Sequence, residues 1–173
     1  DVADCRVAQV IAHGEVVDEG TFARTRRVPD VGRGSLRLPA VTADVFRTKA
    51  SSGTGPVIGV IPGSIVTDAL ALTLPWRDGE RFPDLAAGVH RVAVLARHGK
   101  NHNVGRGFVR GFGLRRGALA SSVGHDSHNV IVVGASDAEM AVAVNRLREL
   151  GGGFVAAAGT EVVAELPLPL AGL

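Results

Sequence analysis

Five consecutive positions, His125-Asp126-Ser127-His128-Asn129, set two imidazoles, a carboxylate, a hydroxyl and an amide side by side. An apolar run, Ala118 to Val123, precedes them and a β-branched run, Val130 to Val133, follows. A solvated connection has no need of that set of groups, whereas a site does. A second concentration lies upstream, where Arg97-His98-Gly99-Lys100-Asn101-His102-Asn103 opens a basic, glycine-rich stretch. From Arg97 to Arg116 there are six Lys/Arg, five glycines and no acid.

Histidines three apart (His125, His128) or four apart (His98, His102) share a face if they sit on a helix. These sit among Gly, Asn and Ser, so both segments are expected to be loops. The four imidazoles with Asp126 could ligate a divalent metal, with His125 and His128 as candidate ligands. The same groups could equally cap backbone atoms as polar loop residues. No His-x-His, HExxH or CxxC accompanies them, so spacing does not single out a metal site. Ser127 beside His128 lacks the GxSxG frame of a nucleophile elbow. The basic stretch reads either as a solvated, turn-rich loop or as the rim of an anion or active site, His98, Lys100 and His102 included. In the second reading it would take a phosphorylated ligand.

The elements that must position these groups are mostly strands. Arg6–Ala12 and Glu15–Val17 form an expected β-hairpin turning at His13-Gly14, with glycine where positive φ is needed. A lone hairpin is marginal in water, so residues 1–19 are assigned to a small β-domain completed elsewhere. Residues 20–34, basic and turn-rich, read as a linker. Ser35–Leu38 alternates briefly, and Thr42-Ala43-Asp44 can start a short helical turn. Val57–Ile61 reads as a buried strand ended by Pro62-Gly63. Ile65–Leu74 reads as an alternating strand, Trp76–Gly88 as a polar loop, and His90–Ala96 as an almost wholly apolar strand. One helix is expected over 136–150. Ser136 and Glu139 make a capping box, Met140, Val144 and Leu147 form the apolar stripe, and Gly151 terminates it. A hairpin follows, Phe154–Ala158 and Glu161–Leu166, turning at Gly159-Thr160. The fold class is therefore α+β, mostly β, with a mixed or antiparallel sheet and few helices. No βαβ alternation forces a parallel sheet.

Composition narrows the function classes. The chain has 173 residues, 46% hydrophobic and 21% charged, with a net charge of +2. Aromatics are 4% with no tyrosine, which argues against base-stacking platforms and a nucleic-acid partner. The apolar runs are strand-length, so no membrane span is expected. A single cysteine, Cys5, excludes an internal disulfide framework and suits a reducing, cytoplasmic setting. The acidic start, DVADCRVAQV, does not read as an export signal. The proline-studded end, LPLPLAGL, reads as a cut.

Several stretches together resemble a known family: His98-Gly99, GFVRGFGL (Gly107–Leu114), GALASSVGHDSHNVIVVG (Gly117–Gly134) and ELPLPLAG (Glu165–Gly172). They are similar to the C-terminal part of bacterial adenine deaminases of the amidohydrolase superfamily, with 35–173 as that domain. Arg6–Val17 also resembles the strand pair by which such enzymes return from their barrel to a small β-domain. The resemblance implies an enzyme of purine salvage that converts adenine and water to hypoxanthine and ammonia. Its water would be activated by a divalent metal, manganese or iron, in a TIM-type barrel. It also implies a homo-oligomer. The barrel's His-x-His ligands are absent here, and 173 residues cannot hold a barrel of about 200 or more besides this domain. The chain alone is therefore expected to be inactive. His125, Asp126 and His128 are its accessory candidates, with Ser127, Asn129, His98, His102 and Lys100 at the pocket rim. Two other readings stand beside this one: a non-catalytic purine-binding or assembly module, and a binder of phosphorylated ligands through the basic stretch.

Overall fold

The computed structural model describes residues 3–4, 6–23 (Phe22 by its backbone only), 31–125 and 127–173. The chain divides into two compact units, Asp1–Val31 and Gly32–Leu173. Among the described residues no helix is long and apolar enough to cross a membrane.

In the first unit, β1 (Val10–Ala12) pairs antiparallel with β2 (Glu15–Val17), and Ala12 lies opposite Glu15. His13 and Gly14 form the turn with φ of 53° and 82°, the left-handed pair that suits strand twist. The ladder is shorter than Arg6–Ala12. Val10, Ile11 and Val16 stay exposed, so no buried face extends the pairing beyond the turn. Where a linker was expected from Gly20, a helical turn begins: α1 (Glu19–Ala23). Asp18 caps it, its Oδ1 accepting the Thr21 N–H at 2.9 Å while Thr21 Oγ1 accepts the Asp18 N–H at 3.1 Å. This is a reciprocal box that a reading for apolar periodicity passes over. Residues 24–30 of the expected linker lie outside the described residues.

The second unit is built on an eight-stranded sheet. In chain order its elements are a 3₁₀ turn (Ala43–Phe46), β3 (Thr48–Lys49), β4 (Thr54–Val60), β5 (Thr67–Thr73), β6 (Trp76–Arg77) and β7 (Glu80–Arg81). Then come β8 (Val89–Leu95), β9 (Val104–Arg110), β10 (Ala118–Ser121), β11 (Val130–Gly134), α2 (Asp137–Leu150), β12 (Gly153–Ala158) and β13 (Glu161–Pro167). The large sheet runs β13-β12-β10-β11-β8-β9-β4-β5, and β3-β7-β6 form a small one. Every pairing is antiparallel except β4 with β9, where Ile58 faces Val109 and Gly59 faces Arg110. The fold is thus mostly β and mixed, with few helices.

Three local expectations are corrected. Ser35–Leu38 joins no ladder; Leu38 instead packs into the core under α2. Val57–Ile61 is only half-buried, because Val57 turns inward while Ile58 and Val60 are exposed. The stretch from Trp76 is not wholly loop, since Asp78-Gly79, with φ of 52° and 76°, turn β6 into β7.

Helix α2 closes one face of the sheet. Met140, Ala143, Val144 and Leu147 are its buried residues, at the i, i+3, i+4, i+7 spacing of one face. They meet Ala93, Leu95, Ala118, Ala120, Val130, Val132, Val155 and Ala157. Alanines on the strands let the helix sit close, and Gly134 faces Met140 so tightly that a Cβ there would lie 2.4 Å from Met140 Cγ. A second, smaller core of Val57, Leu74, Val89 and Phe108 fills the β4–β5 end.

The helix ends where its signals say. Ser136 Oγ accepts the Glu139 N–H at 3.3 Å, and Gly151 sits at φ 78° with its N–H donating to the Arg148 carbonyl. The Glu139 carboxylate, however, does more than complete a capping box. Oε1 accepts the N–H of Gly117 at 2.9 Å and of Gly159 at 3.0 Å, and Oε2 accepts the Ser136 hydroxyl at 2.8 Å. It ties the helix start to two glycine turns. Burial pushes this carboxyl up, but the bonds from Gly159, Ser136 and Gly117 together hold it below the usual range. A carboxyl with a depressed folded pKa contributes stability above its unfolded value, about 4.3, that is lost as pH falls through the folded one. Glu139→Ala should cost about 2 kcal/mol at neutral pH through the stranded charge-assisted bonds. In urea unfolding the gap between parent and variant should narrow in acid.

Candidate functional site

The polar loop emerges at one end of the large sheet, between β10 and β11. Its base is held by a residue that sequence reasoning did not single out, Ser122. Following Ala118 and Ala120 on the helix-covered face, Ser122 is buried. Its Oγ accepts the Gly153 N–H at 2.7 Å and donates to the Gly172 carbonyl at 2.6 Å. That hydroxyl joins the end of β10 to the start of β12 and to the C-terminal segment. The only signal was its place two residues beyond Ala120, in step with the strand's inward positions.

Within the loop, the Ser127 N–H donates to the His125 carbonyl and the His128 N–H to the Gly124 carbonyl, both at 2.9 Å. His128 has φ of 46°, a left-handed conformation uncommon outside glycine. Its Nδ1 is buried and meets no hydrogen-bond partner among the described residues. His125 and Ser127 are exposed and Asn129 is half-buried. Asp126 lies outside the described residues.

The two histidine-bearing loops do meet. His98 Nε2 lies 3.2 Å from the Ser127 carbonyl, a contact in which the ring nitrogen must carry the proton and donate. β8 makes this possible: it pairs with β11 up to Leu95 opposite Val130, so residues just after one and just before the other emerge together. His102 goes elsewhere, lining a cavity of about 120 Å³ with Leu38, Pro39 and Val45. Lys100 is exposed.

The basic stretch is not one loop. Residues 104–110 are β9, paired along its full length with β8. Gly105 and Gly107 and the arginines disguised a strand that the neighbouring apolar β8 recruits. Its six cations are accordingly dispersed. Arg106 Nε donates to the Val45 carbonyl, while Arg97 is buried, and neither its Nε nor its Nη1 meets a partner among the described residues. Burial holds the Arg97 guanidinium below its usual pKa. Gly172 closes over it, and a Cβ there would stand 2.2 Å from Arg97 Nη1.

Among the described residues no three His, Cys, Asp or Glu side chains lie together in a way that could hold a metal. His125 and His128 are the described members of the candidate ligand set, and Asp126 lies outside the described residues.

The described site is a polar, imidazole-bearing rim on a rigid sheet. A family model described as the adenine deaminase C-terminal domain matches residues 64–173. The chain belongs to that family. The match takes in β5 through β13 and both meeting loops. The chain is also similar, over its whole length or nearly so, to proteins named adenine deaminase. It is 56% identical to that of Methylobacterium nodulans over 174 residues, covering 100% of this chain and 31% of the relative. It is 53% identical to that of Gluconobacter oxydans, covering 100% and 31%. Against that of Brucella abortus it is 50% identical, covering 98% and 29%. The family match thus covers seven of the eight strands of the large sheet and both loops, and the chain spans under a third of the length of these relatives.

Proposed function

We propose that this chain serves an adenine deaminase, an amidohydrolase that takes adenine and water to hypoxanthine and ammonia in purine salvage. The His98 loop and residues 124–129 would act as accessory walls of its active site. The observation that carries the reading is the contact of His98 Nε2 with the Ser127 carbonyl at 3.2 Å, which joins the two imidazole-bearing segments into one rim. Loops that carry function are commonly held by a rigid scaffold in this way. His128 has a left-handed backbone, and its buried Nδ1 meets no partner among the described residues; in this reading its ring lines the wall and does not reach out through that atom.

In this reading the water-activating divalent metal, manganese or iron, has its ligands in the part of the polypeptide beyond these residues. This chain's residues bind and orient: imidazole donors and acceptors close over the purine edge and keep bulk water out. The isolated chain would then not deaminate adenine. The assignment to the cytoplasm and to a homo-oligomer belongs to the same proposal.

The test uses the full-length enzyme with His98→Ala and, separately, His128→Asn, which tolerates the left-handed backbone. We expect kcat/KM for adenine to fall about tenfold to a hundredfold through lost positioning, with metal content and circular dichroism unchanged. Parental turnover in both variants would overturn the reading.

A further inference from the structure

Helix α2 covers one face of the large sheet, and the other face of the same strands is apolar too. Inward positions of β10 and β11 are Ala118, Ala120, Val130 and Val132. The alternate positions carry Leu119, Ile131 and Val133, joined by Phe154 of β12, Leu166 of β13 and Phe112 of the preceding loop. Together they line an open groove of about 440 Å³. Leu119 is 42% exposed, Phe154 43% and Leu166 56%. Among the described residues the one charge lining the groove is Glu165, and Arg146 engages it, donating from Nε and Nη2 at 2.7 and 2.8 Å. A sheet apolar on both faces needs a cover on both, and a contiguous exposed apolar patch marks an interaction surface.

We infer that this groove is the seat of the remaining part of the same polypeptide, the portion its deaminase relatives have beyond the region matched here. The inference rests on the reading that the chain serves a longer deaminase. More than two thirds of each relative lies outside the matched region, so a covering body larger than this domain is tethered to it. Tethering fixes an effective concentration on the order of millimolar, whereas a second copy must overcome the full entropy of association. The groove also explains how the polar loop would be presented. Ser121 and Ile131 line its end nearest the loop, and a Cβ on Gly124 would touch Ile131 Cδ1 at 3.1 Å. A body seated on the groove therefore borders Gly124, where the polar loop begins.

The experiment is maleimide labelling of the full-length polypeptide carrying Leu119→Cys or Phe154→Cys, with the fully exposed Ile65→Cys as reference. Both groove positions should label at least about tenfold more slowly than Ile65→Cys, equally at high and low protein concentration. Labelling as fast as at Ile65→Cys overturns the inference, and so does protection that vanishes on dilution, which would assign the groove to a second copy. Hydroxyl-radical footprinting of Phe154 and Phe112 in the unsubstituted polypeptide gives the same answer without a variant that must fold. Adenine turnover on the same samples separates the two readings. An accessible groove in an active enzyme overturns only the docking, and a protected groove in a protein that leaves adenine untouched overturns only the function.

Discussion

Arg91→Met should remove about 3–5 kcal/mol from the unfolding free energy, the cost of breaking a buried ionic network from one side. Arg91 is 1% exposed on β8. Its Nη1 donates to the Phe46 carbonyl and to Thr48 Oγ1, both at 2.8 Å, and its Nη2 to Glu80 Oε1 at 3.3 Å and the Arg81 carbonyl at 3.2 Å. Its Nε pairs with Asp137 Oδ1 at 2.7 Å, and the guanidinium lies 5.5 Å from the Phe108 ring. One side chain thereby joins the 3₁₀ turn, the small sheet and the first turn of α2. Methionine fills much of the volume but strands Glu80, which would keep only Arg47 Nε at 2.8 Å, and leaves Asp137 without its cation.

The pH dependence gives this prediction its signature. Burial pushes the Asp137 carboxyl above the usual range, against the opposing pull of Arg91. A carboxyl with a raised folded pKa contributes stability that is present below its unfolded value and lost as pH rises through the folded one. Without Arg91 that shift grows. The deficit of the variant in urea unfolding should therefore be largest near neutrality and shrink in acid. A variant that unfolds within about 1 kcal/mol of the parent at neutral pH would show that the network adds little.

Gly153→Ala should be nearly as damaging, by roughly 3 kcal/mol, combining backbone strain with forced overlap. Gly153 has φ of 127°, and a Cβ there would lie 1.9 Å from the Leu166 carbonyl oxygen and 3.0 Å from Leu168 N. Those are backbone atoms of β13 and of the residue just past it, which cannot turn aside without opening β12 from β13 at Gly153 opposite Pro167. Gly153 also exchanges hydrogen bonds with Ser122, so the base of the polar loop would loosen with it. For a chain of this size the melting temperature should fall by roughly 6–12 °C. Gly159→Ala is the matched control. It too has positive φ, 61°, but open space around the new Cβ, so it should cost only about 1–2 kcal/mol. Equal losses at the two sites would refute the steric argument.

These two residues show where sequence reading reached and where it stopped. The helix was legible because its signals are local: a Ser136 cap, a stripe repeating every three to four residues and a glycine at the end all act within one segment. The two hairpins announced themselves in the same way, through His13-Gly14 and Gly159-Thr160. The region Gly117–Gly134 stood out as a candidate site because its residue types are unusual together. Arg91 was read inside an apolar strand with no sign that it is the hub of a buried network. Its partners come from residues 46, 48, 80, 81 and 137, and no spacing along the chain encodes that meeting.

The resemblance that pointed to the family aside, the sequence by itself determined the fold class, the one long helix with its caps and the loop worth testing. These follow from local conformational preference and from residue chemistry at neighbouring positions. Only the tertiary structure decided that the middle of the basic stretch is strand β9, that His98 reaches Ser127 while His102 does not, that Ser122 fastens the loop, and that one sheet face carries an exposed apolar groove among the described residues. Strand pairing is the reason. A ladder joins residues tens of positions apart, and a residue's face and neighbours are set by its partner strand as much as by its own side chain.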